Sequence, residues 1–600
     1  MYQICIIFSI SSITHIIRIS ETLMEGCSSS ISLKDLTEHF QNWRYKEFPE
    51  YATDLNIHND RLQTLTLDKF DGLKLKCEAF LEQLLQINRD DLTSSDQASF
   101  DVLNDFLTTY ISGYKWRYYS ACNPVVFLEN VHINFKTFII NATPFLVEKD
   151  FLHYIQRIKC IPKQISEQIE LMKEAISHKT TLHRLSVEKV PGQLDNVIGQ
   201  DVEANLFYEP CVKHIKLVEG EEDRKSICST IKLVIQDEIN PAFAKLRDFL
   251  EYEYIHACRE HFGVGSLFNG KEFYKACLRW HLSADISPEE VHQRGNDEVL
   301  RLQMSFKRVM KQVDFHGTLS EFFLFLRHKS SFYRTSEDEI LREYKKILEN
   351  RINPKISNFF HDPPIHGCDV RAMPFDGPLG YYNPPSRDGS SHGVFQVNLT
   401  KPETIPTFSM PVLTLHETNP GHHLQASHAL QLPIPAFRKK IDFRNIYSAP
   451  MLFPVYTAYL EGWAMYAEDL GMEMKVYETP YEVLGKLFDE MYRACRLVVD
   501  TGIHYFGWSR DEAIHFMSEN CLMSSHKIEN EVDRYITWPG QACAYKIGQM
   551  KIKELRMKAE EALGSEFDIK DFHDTILNMA FVQLSVLERH ISDWIKSQMK

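Results

Sequence analysis

From about Leu33 to Leu348, apolar residues recur three and four positions apart, as in Phe80, Leu81, Leu84, Leu85 and Ile87. That spacing predicts amphipathic helices. A first helix is expected to stop just before Pro49, since the residue ahead of a proline is pushed out of the helical region. No internal repeat of about 20–50 residues stands out. Between Arg351 and Pro406 proline and glycine become dense, as in Pro363-Pro364, Gly377-Pro378 and Pro384-Pro385, and loops and strands are expected there. Gly393 to Leu399 partly alternates apolar and polar residues, which predicts a short strand. Such a strand could present a free edge for a peptide backbone to join, or simply cap the helical body as a hairpin. A helix is expected to begin near Ser409, with Ser409 as N-cap and Pro411 in its first turn. Around Glu461 the residues Val455, Leu460, Met465 and Leu470 accompany Tyr459, Trp463 and Tyr466, so this helix is apolar nearly all round and should be buried. The pattern divides the chain into a variable segment 1–32, a helical lobe 33–348 and a second lobe 349–600, interlocked as one body.

The helix after Ser409 carries His416-Glu417-Thr418-Asn419-Pro420-Gly421-His422-His423. Two imidazoles with a neighbouring glutamate are the start of a hydrolytic zinc site. On an unbroken helix the partner of His416 would be residue 420, but that is Pro420, which cannot ligate. His423 regains the right face only about 10 Å further along, at roughly 1.5 Å rise per residue, too far to share one ion. Pro420-Gly421 must therefore break the helix and fold the second histidine back. His422 is preferred, because Gly421-His422 falls where other zinc families carry Gly-His; His423 is the alternative. A carboxylate on the buried helix needs a partner. Glu461 and Glu468 lie seven apart on one face, so one can reach the metal while the other holds a ligand histidine.

These stretches resemble the domain-of-unknown-function family 885, marked by H-E-x-x-P-G-H-H followed by E-G-W-A-x-Y-A-E. Further matching stretches are Pro49 to Thr53, Asn59 to Leu62, Tyr381 to Ser390, Arg496 to His504 and Trp538 to Gln549. The resemblance runs from about Leu33 to Ser597. The family is similar to helical zinc oligopeptidases and carboxypeptidases. It implies a mainly α, two-lobed helical body around a deep cleft, with a small strand and loop element before the metal helix. It also implies zinc held by His416, Glu461 and His422 or His423, with Glu417 as general base and Glu468 behind a ligand. Tyr545 is expected to steady the oxyanion, with His504, Tyr381 and Tyr382 as other candidates; an aromatic core role is the alternative for Tyr545. Arg387, Arg496 and Arg534 are candidates to anchor a substrate carboxylate, or else pair with Asp388, Asp500 or Asp533. Tyr381, Tyr382, Arg387 and Arg496 form the expected substrate-binding set. The implied activity is a zinc metallopeptidase on short peptides; the alternatives are a zinc amidase on a non-peptide amide and a non-catalytic helical scaffold.

The formal charge of −15 argues against nucleic acid or an anionic membrane as partner. Thirteen cysteines without any paired spacing point to reduced thiols and a cytoplasmic location. Residues 1–20 are apolar but interrupted by serines and His15, and lack the basic start of a secretory signal. They are a poor membrane span. Met24 is the expected natural start, with secretion or anchoring through this segment as the alternative. Gly389-Ser390-Ser391-His392-Gly393 formally matches a serine-hydrolase elbow, but a proline-rich loop precedes it and a strand follows, the wrong order for that turn.

Overall fold

A computed structural model of the protein describes residues 31–362, 366–373, 377–386 and 391–599. The expectations for the first twenty residues, and that for Arg387, lie outside these. The described chain is mainly helical, with one small sheet. α1 (Leu33–Glu47) starts where the Ser32 hydroxyl accepts the Asp35 amide at 3.1 Å, and it ends before Pro49 as the spacing predicts. α2 (Leu67–Leu85) and α3 (Ser94–Gly113) follow. Their buried faces meet residues from the far half of the chain. Phe40 stands edge-on to Phe453 at 5.7 Å and to Phe437 at 5.8 Å. One core thus runs from Leu33 to Ile591. A second core gathers residues between Val125 and Tyr254, and a third joins α4 (Pro288–Gln312) to residues between Leu484 and Ala542. No described helix is long and apolar enough to cross a membrane.

The sheet consists of β1 (Cys368–Ala372), β2 (Gly380–Asn383) and β3 (Gly393–Val397), in the order β1-β3-β2. β1 runs parallel to β3 and β2 antiparallel to it. The strand expected from Gly393 is present, but it is central, so it offers no free edge; the edges are β1 and β2. Alternation reveals which face of a strand is buried, and Phe395 and Val397 are indeed buried. It carries no information on which strands lie alongside.

Six helices build the region around the predicted metal motif: α5 (Met410–Glu417), α6 (His422–Gln431), α7 (Thr457–Glu473), α8 (Pro480–Thr501), α9 (Ser525–Thr537) and α10 (Ala544–Leu563). Ser409 precedes α5 and Pro411 lies in its first turn, as expected. Ser409 nevertheless makes no side-chain cap, because the turn Thr407–Ser409 already winds its backbone helically. α7 is buried on nearly every side and crosses α10 at backbone contact. A Cβ on Gly462 would collide with the Gly548 backbone, and one on Gly548 with the Ala458 carbonyl oxygen. The two glycines let the helices approach closely, which brings the segments bearing Glu461 and Tyr545 together.

Candidate metal centre

α5 ends at Glu417, and the chain turns through Thr418 to Gly421 before α6 begins at His422. The turn is folded tightly onto the helix it leaves. The Gly421 amide donates to the Leu415 carbonyl at 3.1 Å, and a Cβ at position 421 would collide with the His416 carbonyl oxygen. The rings of His416 and His422 consequently stand 4.8 Å apart, nearly perpendicular. Across from them, Glu461 on α7 places Oε2 3.5 Å from His416 Nε2 and 3.5 Å from His422 Nε2. That oxygen is buried and makes no hydrogen bond. In tetrahedral zinc sites with bonds of about 2.0–2.2 Å, neighbouring donor atoms are about 3.4 Å apart. The three side chains therefore fit a zinc-sized ion.

The surroundings hold these groups in place. His416 Nδ1 lies 2.7 Å from Glu468 Oε1, one helical face behind Glu461, which fixes the ring and leaves Nε2 facing the cluster. Burial disfavours a charged His416, but the Glu461 and Glu468 carboxylates outweigh it and push the ring up to about 10 in the metal-free chain. Burial would raise Glu461; the two rings hold it well below the usual carboxylate range. Burial and the charge of Asp489 raise Glu468 to about 7. Asp489 pairs in turn with Arg493 on the same helix. Glu417 is 6% exposed, and its carboxyl is raised by burial and by Glu461, against the pull of His416 and His422. Burial and the same Glu461 charge push the Tyr545 phenol up to about 12. Two small cavities of about 40 and 30 Å³ lie elsewhere, lined by Arg44, Asp442 and Phe453 and by Arg259, His281 and Trp538. A second set of possible ligands, His361, Asp568 and Asp571, is exposed on the surface, with His361 and Asp571 2.9 Å apart.

Residues 49–591 match a family described as bacterial protein of unknown function, DUF885. The chain belongs to the DUF885 family. No curated protein matches it. Its fold is shared by the crystal structure of a candidate lipoprotein from Colwellia psychrerythraea, with a TM-score of 0.86 and 25% identity, over 94% of this chain and 100% of that one. A candidate lipoprotein of unknown function from Shewanella oneidensis has the same fold at a TM-score of 0.66 and 16% identity, over 93% of this chain and 99% of that one.

The structure of this DUF885 member brings His416, His422, Glu461 and Glu468 together, with Glu417 buried next to His416 and the Tyr545 helix packed on that of Glu461, and it separates others expected with them. His423 is not a ligand here: its Nδ1 meets the Tyr382 hydroxyl at 2.9 Å and its Nε2 the His366 carbonyl at 3.0 Å. One residue along α6 turns the ring by about 100°, away from His416. Tyr382 is thereby committed to orienting His423. Tyr381 is half-buried on β2 opposite Gln396. His504 is not at the site either. It is fully buried in the core, accepting the Val264 amide at Nδ1 and facing the Tyr535 carbonyl at 2.8 Å through Nε2. Neither Arg496 nor Arg534 pairs with Asp500, which takes the Tyr274 hydroxyl and the Gly540 amide; nor does Arg534 pair with Asp533, which holds Arg510. Arg496 and Arg534 both reach Glu531. Sequence reading passed over Arg493 and Asp489. Their spacing of four on α8 was the available signal.

Proposed function

We propose that this DUF885 protein is a zinc-dependent hydrolase that cleaves amide bonds of short peptides. The observation that carries the reading is the Glu461 Oε2 atom, buried, without a hydrogen bond, and 3.5 Å from each of two histidine nitrogens. His416, His422 and Glu461 would hold the metal. Zinc bound there would lower the pKa of a water and polarise the carbonyl under attack. Glu417 would accept the proton of the attacking water and pass it to the leaving nitrogen as the C–N bond breaks. A carboxylate raised by burial suits both halves of that transfer. Tyr545, protonated at neutral pH, would donate a hydrogen bond to the developing oxyanion.

The test is removal and return of the metal. Chelator-treated protein is expected to lose hydrolysis of a mixed short-peptide library and to regain it on addition of zinc. Hydrolysis that survives complete removal of metal would overturn the reading.

For location, thirteen cysteines without paired spacing favour the cytoplasm. The description of two structural neighbours as candidate lipoproteins favours the second reading, an envelope location. Cell fractionation of the natural host separates the two.

A further inference from the structure

Next to the candidate metal ligands, α8 and α9 carry four cations, Arg493, Arg496, Lys527 and Arg534, close to the anions Asp489 and Glu531 on the same helices and Glu468 on α7. Arg493 on α8 pairs with Asp489. Arg534 on α9 grips Glu531 at 2.9 and 3.2 Å and also Gln541 at 2.6 Å. Arg496 shares Glu531 with Arg534, at 3.3 Å, and has no second carboxylate partner among the described residues. Arg496 is 94% buried, since only 6% of its surface is exposed. Its Nε donates to the Tyr535 hydroxyl at 3.1 Å, and its Nη2 donates to the Tyr492 hydroxyl and, at 3.3 Å, to Glu531. Its Nη1 makes no hydrogen bond at all. A buried charged donor left unpaired is costly, and proteins keep few of them without a use. Lys527 makes no ion pair within 4 Å among the described residues, though it feels Glu531 and Asp489 first and Arg493 and Arg496 after them.

The position of this unpartnered guanidinium nitrogen matters as much as its charge. The Arg496 guanidinium lies 4.7 Å over the Tyr545 ring, and that of Arg493 lies at 5.9 Å from the same ring. Tyr545 stands three residues before Gly548, whose backbone meets Gly462, the neighbour of Glu461. The unspent donor therefore packs against the part of α10 that meets the helix bearing Glu461, and Tyr492 lies 4.0 Å from the guanidinium. A planar guanidinium with a free nitrogen suits a carboxylate.

We propose that Arg496, supported by Arg493 and Lys527, binds a carboxylate of the substrate, so that this hydrolase acts on peptides carrying a carboxylate close to the cleaved bond. The inference rests on the hydrolase reading above for its function, but not for its binding chemistry. The carboxylate comes either from the peptide C-terminus or from an acidic side chain.

The experiment is calorimetric titration of the zinc-loaded protein with N-acetylphenylalanine, with its amide, and with N-acetylglutamic acid α-amide, whose carboxylate is on the side chain. The expected result is that one of the two acids binds roughly tenfold to a hundredfold more tightly than the neutral amide, in line with a charge-assisted hydrogen bond. Preference for N-acetylphenylalanine assigns the site to a C-terminus, and preference for the glutamic derivative assigns it to a side chain. Arg496→Gln is expected to erase the preference, and Lys527→Met, a change at an exposed residue, to reduce it. Both variants keep the three metal ligands, so capture of the carboxylate by zinc would leave the preference intact in both. Equal binding of acids and amide by the wild type overturns the subsite, and so does an undiminished preference in Arg496→Gln or, should that variant not fold, in Lys527→Met. Selective binding without peptide hydrolysis would sink the hydrolase reading alone. Hydrolysis at equal rates of free and amidated peptides, acidic and neutral, would sink the subsite alone.

Discussion

Trp463 donates its indole N–H to the Pro420 carbonyl at 2.8 Å. Trp463 lies two residues beyond Glu461 on α7, and Pro420 two residues ahead of His422. This bond clamps the turn that delivers the second histidine to the helix that delivers the carboxylate. Trp463→Phe keeps most of the packing and strands a buried carbonyl, at a cost of about 1–3 kcal/mol. The expected outcome is a lower melting temperature and a fall in zinc affinity of roughly tenfold to a hundredfold, read by competition with a chromogenic chelator. Unchanged affinity would show that the turn holds its shape without α7.

Elemental mass spectrometry should find about one zinc per chain. His416→Ala, His422→Ala and Glu461→Gln should each lose it. His423→Ala should keep it, because both nitrogens of His423 are occupied by Tyr382 and His366. Retention by His422→Ala together with loss by His423→Ala would reverse the assignment.

Glu417→Gln removes the proton acceptor and none of the metal ligands. Zinc content and melting temperature should stay near those of the wild type while turnover drops by about 10²–10⁴-fold. A variant with ordinary turnover would rule out the general-base role.

Gly462→Ala tests the helix crossing. The added methyl would meet the Gly548 backbone, and backbone cannot swing aside as a side chain can. Destabilisation of about 3 kcal/mol or more is expected in urea unfolding, at the upper end for an overpacked core. A change below about 1 kcal/mol would mean that α7 and α10 separate easily.

His504 supplies a pH test. Burial drives its pKa down to about 3, from an ordinary value of 6.5. Between those values the unfolded chain carries a proton there and the folded chain does not, so stability is lost as pH falls from 6.5 toward 3, by about 1.4 kcal/mol per unit. His504→Gln should be less stable at neutral pH, since it disturbs bonds to Val264 and Tyr535, yet its stability should fall less steeply on acidification. Parallel slopes for the two proteins would refute the neutral, buried His504. Metal content should not change, since His504 stands in the core.

The amino-acid order alone determined the features that depend on neighbours along the chain. The helical spacing, the stop before Pro49, the break at Pro420-Gly421 and the all-apolar helix around Glu461 follow from local sterics and from the 3.6-residue turn. So does the placing of Glu461 and Glu468 on one face. Family membership was legible because the His416 to His423 and Glu461 to Glu468 runs are each contiguous in the sequence. What tertiary structure decided is direction and company. His422 faces Glu461 while the adjacent His423 turns to Tyr382, and the strand from Gly393 acquired partners on both sides. His504 reads like a catalytic candidate but spends Nδ1 on a core amide 240 positions away and Nε2 on the Tyr535 carbonyl. Arg496 keeps one nitrogen unspent because α9 brings the Tyr535 hydroxyl to Nε and Glu531 to Nη2 and leaves Nη1 with none. Hydrogen-bond partners of buried polar groups are assigned by packing between distant segments, and one-dimensional spacing carries no record of that packing.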